Sequence, residues 1–124
     1  MKVLIADDSE LLRERLKGLL KNFEFVYVVG EAGNGTEALK LIRETDPDVA
    51  ILDIRMPEIS GIEVLRKIRE NGLRPKIIIL TNYPYKQYKD RCLAEGADYF
   101  FDKNHDISEL TEMIAGLANE MKGD

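Results

Sequence analysis

Four apolar runs punctuate the chain, and each ends on a polar residue. Val3-Leu4-Ile5-Ala6 ends on Asp7-Asp8, Val49-Ala50-Ile51-Leu52 on Asp53, Ile77-Ile78-Ile79-Leu80 on Thr81, and Tyr99-Phe100-Phe101-Asp102 on Lys103. The first three are Val/Ile/Leu/Ala runs without alternation, the pattern of strands covered on both faces. A fifth run, Phe25 to Ala32, is mixed and predicts a strand toward a sheet edge. Strands are therefore expected near residues 2–7, 25–32, 48–53, 76–81 and 97–102. The segments between them carry helical periodicity. Leu12, Leu16, Leu19, Leu20 and Phe23 form one stripe, and Ile107, Leu110, Ile114, Leu117 and Met121 another. Ser60-x-x-Glu63 and Asp106-x-x-Glu109 fit capping boxes, and Gly72 and Gly96 fit helix C-caps. Pro84 is expected in the first turn of the fourth helix, where its missing N–H costs nothing.

Strand and helix thus alternate five times. Parallel strands joined by right-handed crossovers need helices on both faces. The predicted fold is α/β: a flavodoxin-like, doubly wound (βα)5 unit with a five-stranded parallel sheet in the order 2-1-3-4-5. A length of 124 residues suits one domain with a real core, over residues 1–124, and leaves none for a second.

Charge and composition narrow the function classes. The chain is 44% apolar and 33% charged with a net charge of -5, as in a soluble globular domain. No basic cluster exceeds Arg66-Lys67, which argues against direct nucleic-acid binding, since phosphate contacts need clustered cations. Apolar runs fall far short of the ~20 residues that span a bilayer, and no signal peptide is expected ahead of the first strand. With a single cysteine, Cys92, no internal disulfide can form; a reducing, cytoplasmic setting is expected. Cys92 continues a helical spacing from Tyr85 and Tyr88, which predicts a packing role.

The strand ends carry the chemistry. In a parallel sheet all carboxyl ends lie on one edge, where ligands bind. Asp7, Asp8 and Asp53 there form a cation site, and Thr81 and Lys103 complete a site for a phosphoryl group. Two carboxylates ~4 Å apart repel by about 4 kcal/mol at an effective dielectric of ~20, so three together call for a cation. Taken singly, each residue has a plainer reading: a helix cap for Asp7-Asp8 (unless Ser9 takes it), a turn carboxylate for Asp53, a capping hydroxyl for Thr81, a solvated charge for Lys103. Their joint placement favours phosphoryl chemistry, with Asp53 as nucleophile.

IADDS, AILDIRMPEISGIEVL, IIILT and GADYFFDK occur in order over essentially the whole chain. In these segments the sequence closely resembles the receiver domain of bacterial response regulators. The resemblance implies a phosphorylation-dependent switch of a two-component system rather than an enzyme with an outside substrate; its only reactions would be self-phosphorylation from a donor and autodephosphorylation. Asp53 would accept the phosphoryl group. Mg²⁺, with Mn²⁺ able to substitute, would be held by Asp8, Asp53 and the backbone carbonyl of Arg55, with Asp7 acting mainly through water. Thr81 and Lys103 would bind phosphoryl oxygens. Thr81 and Phe100 would form the switch, Phe100 standing where tyrosine is common. Arg55, Asn82 and Tyr83 would border access to the phosphoryl site. Implied partners are a sensor histidine kinase or phosphotransfer protein, a downstream output domain or target protein, and a second copy in a phosphorylation-dependent homodimer. The output face would comprise the fourth helix, fifth strand and fifth helix, including Tyr88, Lys89, Glu109 and Glu112. Asn104 replaces the proline often found after the lysine, and a non-proline cis bond costs ~2.5–4 kcal/mol, which leaves that loop's geometry open. His105, the only histidine, reads as a solvated loop residue. Two alternatives compete: a haloacid dehalogenase-type phosphatase, whose D-x-D-x-T/V motif Asp7-Asp8-Ser9-Glu10 does not supply, and a docking domain that no longer uses phosphate.

Overall fold

The computed structural model describes residues 1–123, with side chains through Met121; Asp124 lies outside the described residues. The elements run β1 (Lys2–Ala6), α1 (Glu10–Leu20), β2 (Tyr27–Ala32), α2 (Gly35–Thr45), β3 (Val49–Leu52), α3 (Gly61–Glu70), β4 (Lys76–Thr81), α4 (Lys86–Ala94), β5 (Tyr99–Asp102) and α5 (Ile107–Gly123). All strand pairs are parallel, in the expected order β2-β1-β3-β4-β5.

Alternation along each strand separates two apolar layers. Leu4 and Ala6 of β1 and Ile77 and Ile79 of β4 pack on one face with Leu39 and Ile42 of α2, Leu65 and Ile68 of α3 and Cys92 of α4. Val3, Ile5, Ile78 and Leu80 point the other way, onto Leu16 and Leu20 of α1 and Leu110 and Ile114 of α5. Fully burying a Leu or Ile side chain stabilises by about 1.5–3 kcal/mol, so both layers hold the sheet firmly. Helix α4 is the exception. Its only fully buried residue is Cys92, so it is tied to the core by less apolar area than α3, which buries Ile62, Val64, Leu65 and Ile68. The packing role expected of Cys92 holds: burial raises its thiol pKa to about 11, far from a reactive thiolate.

Several local expectations change. Strand β2 starts at Tyr27 instead of Phe25, because Phe25 has φ 68°, a left-handed conformation that cannot join a ladder. Strands β1, β3 and β5 are also shorter than expected by one or two residues, which leaves Asp7 and Asp53 just beyond their strands, while β4 keeps its expected bounds. Pro84 lies before the N-cap residue Tyr85, outside the first turn of α4. The Ser60 hydroxyl accepts the Glu63 N–H as a cap (3.2 Å), but the Asp106 carboxylate turns back to accept the N–H of Asp102 (2.9 Å) instead of capping at Glu109. That bond closes the β5–α5 loop, a non-local demand that overrides the local motif. Met121 of the α5 stripe is 46% exposed and lies at the edge of the core.

Candidate functional site

Asp7 follows β1 and Asp53 follows β3, and the sheet's hydrogen bonding extends to both: the Asp7 N–H donates to the Ala32 carbonyl (3.0 Å) and the Asp53 N–H to that of Ala6 (3.1 Å). Their side chains are therefore fixed by the sheet and are 2% and 5% exposed residues. Asp8 is exposed, and its carboxylate makes no hydrogen bond among the described residues. Each of the three offers an oxygen, and these oxygens lie within 4.8 Å of one another. Ser9 caps α1 through its hydroxyl, which accepts the Leu12 N–H, so the cap does not consume the Asp pair.

Lys103 completes the arrangement. Its ammonium lies 2.6 Å from Asp7 Oδ2 and 2.9 Å from Asp53 Oδ2, with all three side chains less than a tenth exposed. Two buried carboxylates share one ammonium, so the ion group carries a net negative charge. Burial pushes the Asp7 pKa up, more than the bonds from Lys103 and the Ser9 N–H bring it down, and the Asp53 charge adds to the rise. Burial also opposes the Lys103 charge, but the two carboxylates outweigh it and raise the lysine pKa. Asp53 Oδ1 is buried with no hydrogen-bond partner among the described residues. An orphaned buried carboxylate oxygen is costly. Together with the clustered oxygens it fits a hard divalent cation, which favours such ligands.

The lysine reaches this position on a trans peptide: the Asn104 N–H donates to Asp102 Oδ1 (2.8 Å), making a tight turn after β5. His105 is exposed, as expected. Thr81, the last residue of β4, is fully buried, and its hydroxyl accepts the Tyr83 N–H (3.0 Å). Its own proton remains free to donate. Phe100 is half-buried, and it and Tyr88 each pack against the core layer that carries α4.

Two depressions flank the acidic trio. One of about 280 Å³ is lined by Ser9, Arg15, Asn82 and Lys103; the other, about 520 Å³, by Asp8, Arg55, Met56, Ser60 and Tyr88. Arg55 and Tyr83 meet across two loops, the guanidinium carbon 4.2 Å from the ring centroid. Asn82 is exposed on the opposite side. The predicted site residues are thus gathered around one sheet edge, with Phe100 behind them.

Two contributors were not singled out from the sequence. Gly61 sits against Asp53, where an added Cβ would come within 1.9 Å of the Asp53 carbonyl oxygen. The glycine inside MPEISGIEVL was a visible signal. Arg13 donates to the Asp7 carbonyl at 2.6 Å, and nothing in its local sequence distinguishes it from a solvated helix residue.

A family model described as the response regulator receiver domain matches residues 3–115. The response regulator GacA of Pseudomonas aeruginosa is 33% identical over 114 residues, covering 92% of this chain and 53% of GacA. YhcZ of Bacillus subtilis, an uncharacterized transcriptional regulatory protein, is 36% identical over 112 residues, 90% of this chain and 52% of the relative. The chain spans about half the length of the curated relatives it matches. Among solved structures, a DNA-binding response regulator of the LuxR family from Staphylococcus aureus superimposes with a TM-score of 0.87 at 35% identity, covering 94% of this chain and 98% of that one. Among the described residues, no helix is long and apolar enough to cross a membrane.

Proposed function

Since this chain belongs to the response regulator receiver domain family, we propose that it is a phosphorylation-dependent switch with Asp53 as the phosphoacceptor. The observation that carries the reading is the state of the Asp53 carboxylate: one oxygen is held by Lys103, and the other is buried and unpartnered beside two further carboxylates. Such a group has a fixed position, an unsatisfied oxygen and a ready counter-charge for the product.

In transfer from a donor histidine, an Asp53 oxygen forms the new bond to phosphorus. The phosphorus–nitrogen bond breaks, and its electron pair stays on the imidazole. Catalysis of this kind rests on positioning and charge stabilisation. Asp53 is positioned by β3 and by the close approach of Gly61. Lys103 is within reach of the same carboxylate and supplies one cation for the phosphoryl oxygens. Thr81 has a free hydroxyl proton and donates it to another oxygen, giving up its bond from the Tyr83 N–H. Asp8, Asp53 and the Arg55 carbonyl would hold Mg²⁺ (or Mn²⁺), with Asp7 contributing mainly through water, and the ion would supply further neutralisation of the phosphoryl charge.

The movement of Thr81 opens space into which Phe100 turns, and α4, which fully buries only Cys92, responds. The α4–β5–α5 face then presents its new surface to an output domain or target protein, or to a second copy. A sensor histidine kinase or phosphotransfer protein supplies the phosphoryl group in the cytoplasm. No substrate is turned over; the only reactions are gain and loss of phosphate at Asp53. Acetyl phosphate with Mg²⁺ should raise the intact mass by one phosphate, and Asp53→Asn should abolish the rise. Undiminished labelling of that variant would assign the acceptor elsewhere.

A further inference from the structure

Every polar atom of Asp7 is engaged. Its N–H donates to Ala32, Oδ1 accepts the Ser9 N–H at 2.8 Å, Oδ2 meets Lys103, and its carbonyl accepts Arg13 Nη1 at 2.6 Å. The last bond is the unusual one. Strand β1 ends at Ala6, so the Asp7 carbonyl has no place in the ladder, and a side chain from α1 takes it. Arg13 Nε is meanwhile 2.9 Å from Glu31 Oε1 on β2, and the other Glu31 oxygen is 2.6 Å from Lys17 Nζ. The guanidinium therefore spans α1, β2 and the β1–α1 loop, with its side chain 16% exposed.

That carbonyl belongs to the peptide joining Asp7 to Asp8. Holding it sets ψ of Asp7 and φ of Asp8, and the Ser9 N–H bond to Asp7 Oδ1 restrains the chain on the far side. Among the described residues Asp8 has no side-chain partner of its own, so its direction follows from the backbone that carries it. We infer that Arg13 is a positioning residue for the cation site: by clamping the Asp7–Asp8 peptide to Glu31, it aims the Asp8 carboxylate into the acidic trio before an ion arrives. The inference rests on the cation-binding reading above. A planar fork holds a carbonyl and a carboxylate at once in a fixed relative geometry; a lysine ammonium, a point donor on a flexible stem, would fix that geometry less firmly.

The test is Mg²⁺ titration of the full chain, followed by amide NMR shifts at Asp8 and Asp53, with thermal unfolding in EDTA measured alongside. Outer partners of metal ligands typically contribute 10–100-fold in affinity. Arg13→Ala should weaken Mg²⁺ binding by about 10-fold or more and shift the Asp8 amide in the ion-free protein. Arg13→Lys and Glu31→Gln should fall between it and the wild type, and they carry the test if the alanine variant folds poorly. Lys17→Ala removes the neighbouring pairs to Glu14 and Glu31 and leaves the Asp7 carbonyl contact in place. It should lower thermal stability while keeping wild-type affinity. Wild-type affinity in Arg13→Ala, or an equal loss in Lys17→Ala, overturns the positioning role alone. A wild type without a saturable Mg²⁺ response overturns the cation reading and this inference with it.

Discussion

Replacing Lys103 by methionine isolates the charge balance of the site, because the stem length is kept and the ammonium lost. In the wild type that ammonium lies 2.6 Å from Asp7 and 2.9 Å from Asp53, and the three side chains are 9%, 3% and 6% exposed. At such burial, solvent screening is weak. Removing one partner of a buried ion pair costs about 3–5 kcal/mol, since the remaining charge stays desolvated. Total stability for a domain is about 5–15 kcal/mol, so the loss is a large fraction and lowers the melting temperature by roughly 10–20 °C. Its pH dependence follows from the same charges. Burial already raises the Asp7 pKa, and removing Lys103 raises it further. The folded variant then binds more protons than the unfolded chain above the ordinary Asp value of about 3.9. Stability must therefore rise as pH falls from 7 toward 5, and the deficit against wild type must shrink. On the alkaline side the wild type follows the same sign, because the Lys103 pKa is also raised on folding and stability again falls as pH rises. The Lys103 contribution is full below the ordinary lysine value of 10.5 and is lost as pH rises through its higher folded value. Urea unfolding of both proteins in EDTA at pH 5 and pH 7 measures the effect, and added Mg²⁺ should recover part of it. A loss under about 1 kcal/mol at pH 7, or one no smaller at pH 5, refutes the picture of two buried carboxylates sharing one ammonium.

Thr81→Ala should still take phosphate at Asp53 but show weakened chemical-shift changes at Tyr88, Lys89, Glu109 and Glu112; changes of wild-type size would place the switch elsewhere. The aspartyl phosphate is expected to be long-lived: Arg55 stacks on Tyr83, and this pair is expected to hinder the in-line approach of water without activating it. An exposed cation–π pair contributes only about 0.5–1 kcal/mol, so the obstruction is steric more than energetic. The Arg55→Ala/Tyr83→Ala double variant should therefore lose phosphate faster, and an unchanged rate of release would rule out gating by these two side chains.

Much of this protein was legible in one dimension. Unbroken apolar runs at Val3–Ala6, Val49–Leu52 and Ile77–Leu80 encode strands buried on both faces, and the residues that close them must then share one sheet edge. Burial periodicity is a local signal, and the topology of parallel strands converts it into a site. That is why Asp7, Asp53, Thr81 and Lys103 could be assembled from the sequence. What the tertiary structure decided concerns polar atoms and their partners. Asp106 reads as an N-cap, but its carboxylate goes to Asp102; Phe25 reads as strand, but its φ of 68° excludes it; Pro84 reads as a first-turn residue, but Tyr85 takes the cap after it. Arg13 is indistinguishable from any surface arginine until α1 lies beside β2 and brings Glu31 and the Asp7 carbonyl within its reach. The pattern of apolar residues states that a segment is buried and on which face. Which donor meets which buried acceptor depends on residues brought together from distant parts of the chain, and only the folded arrangement holds that information.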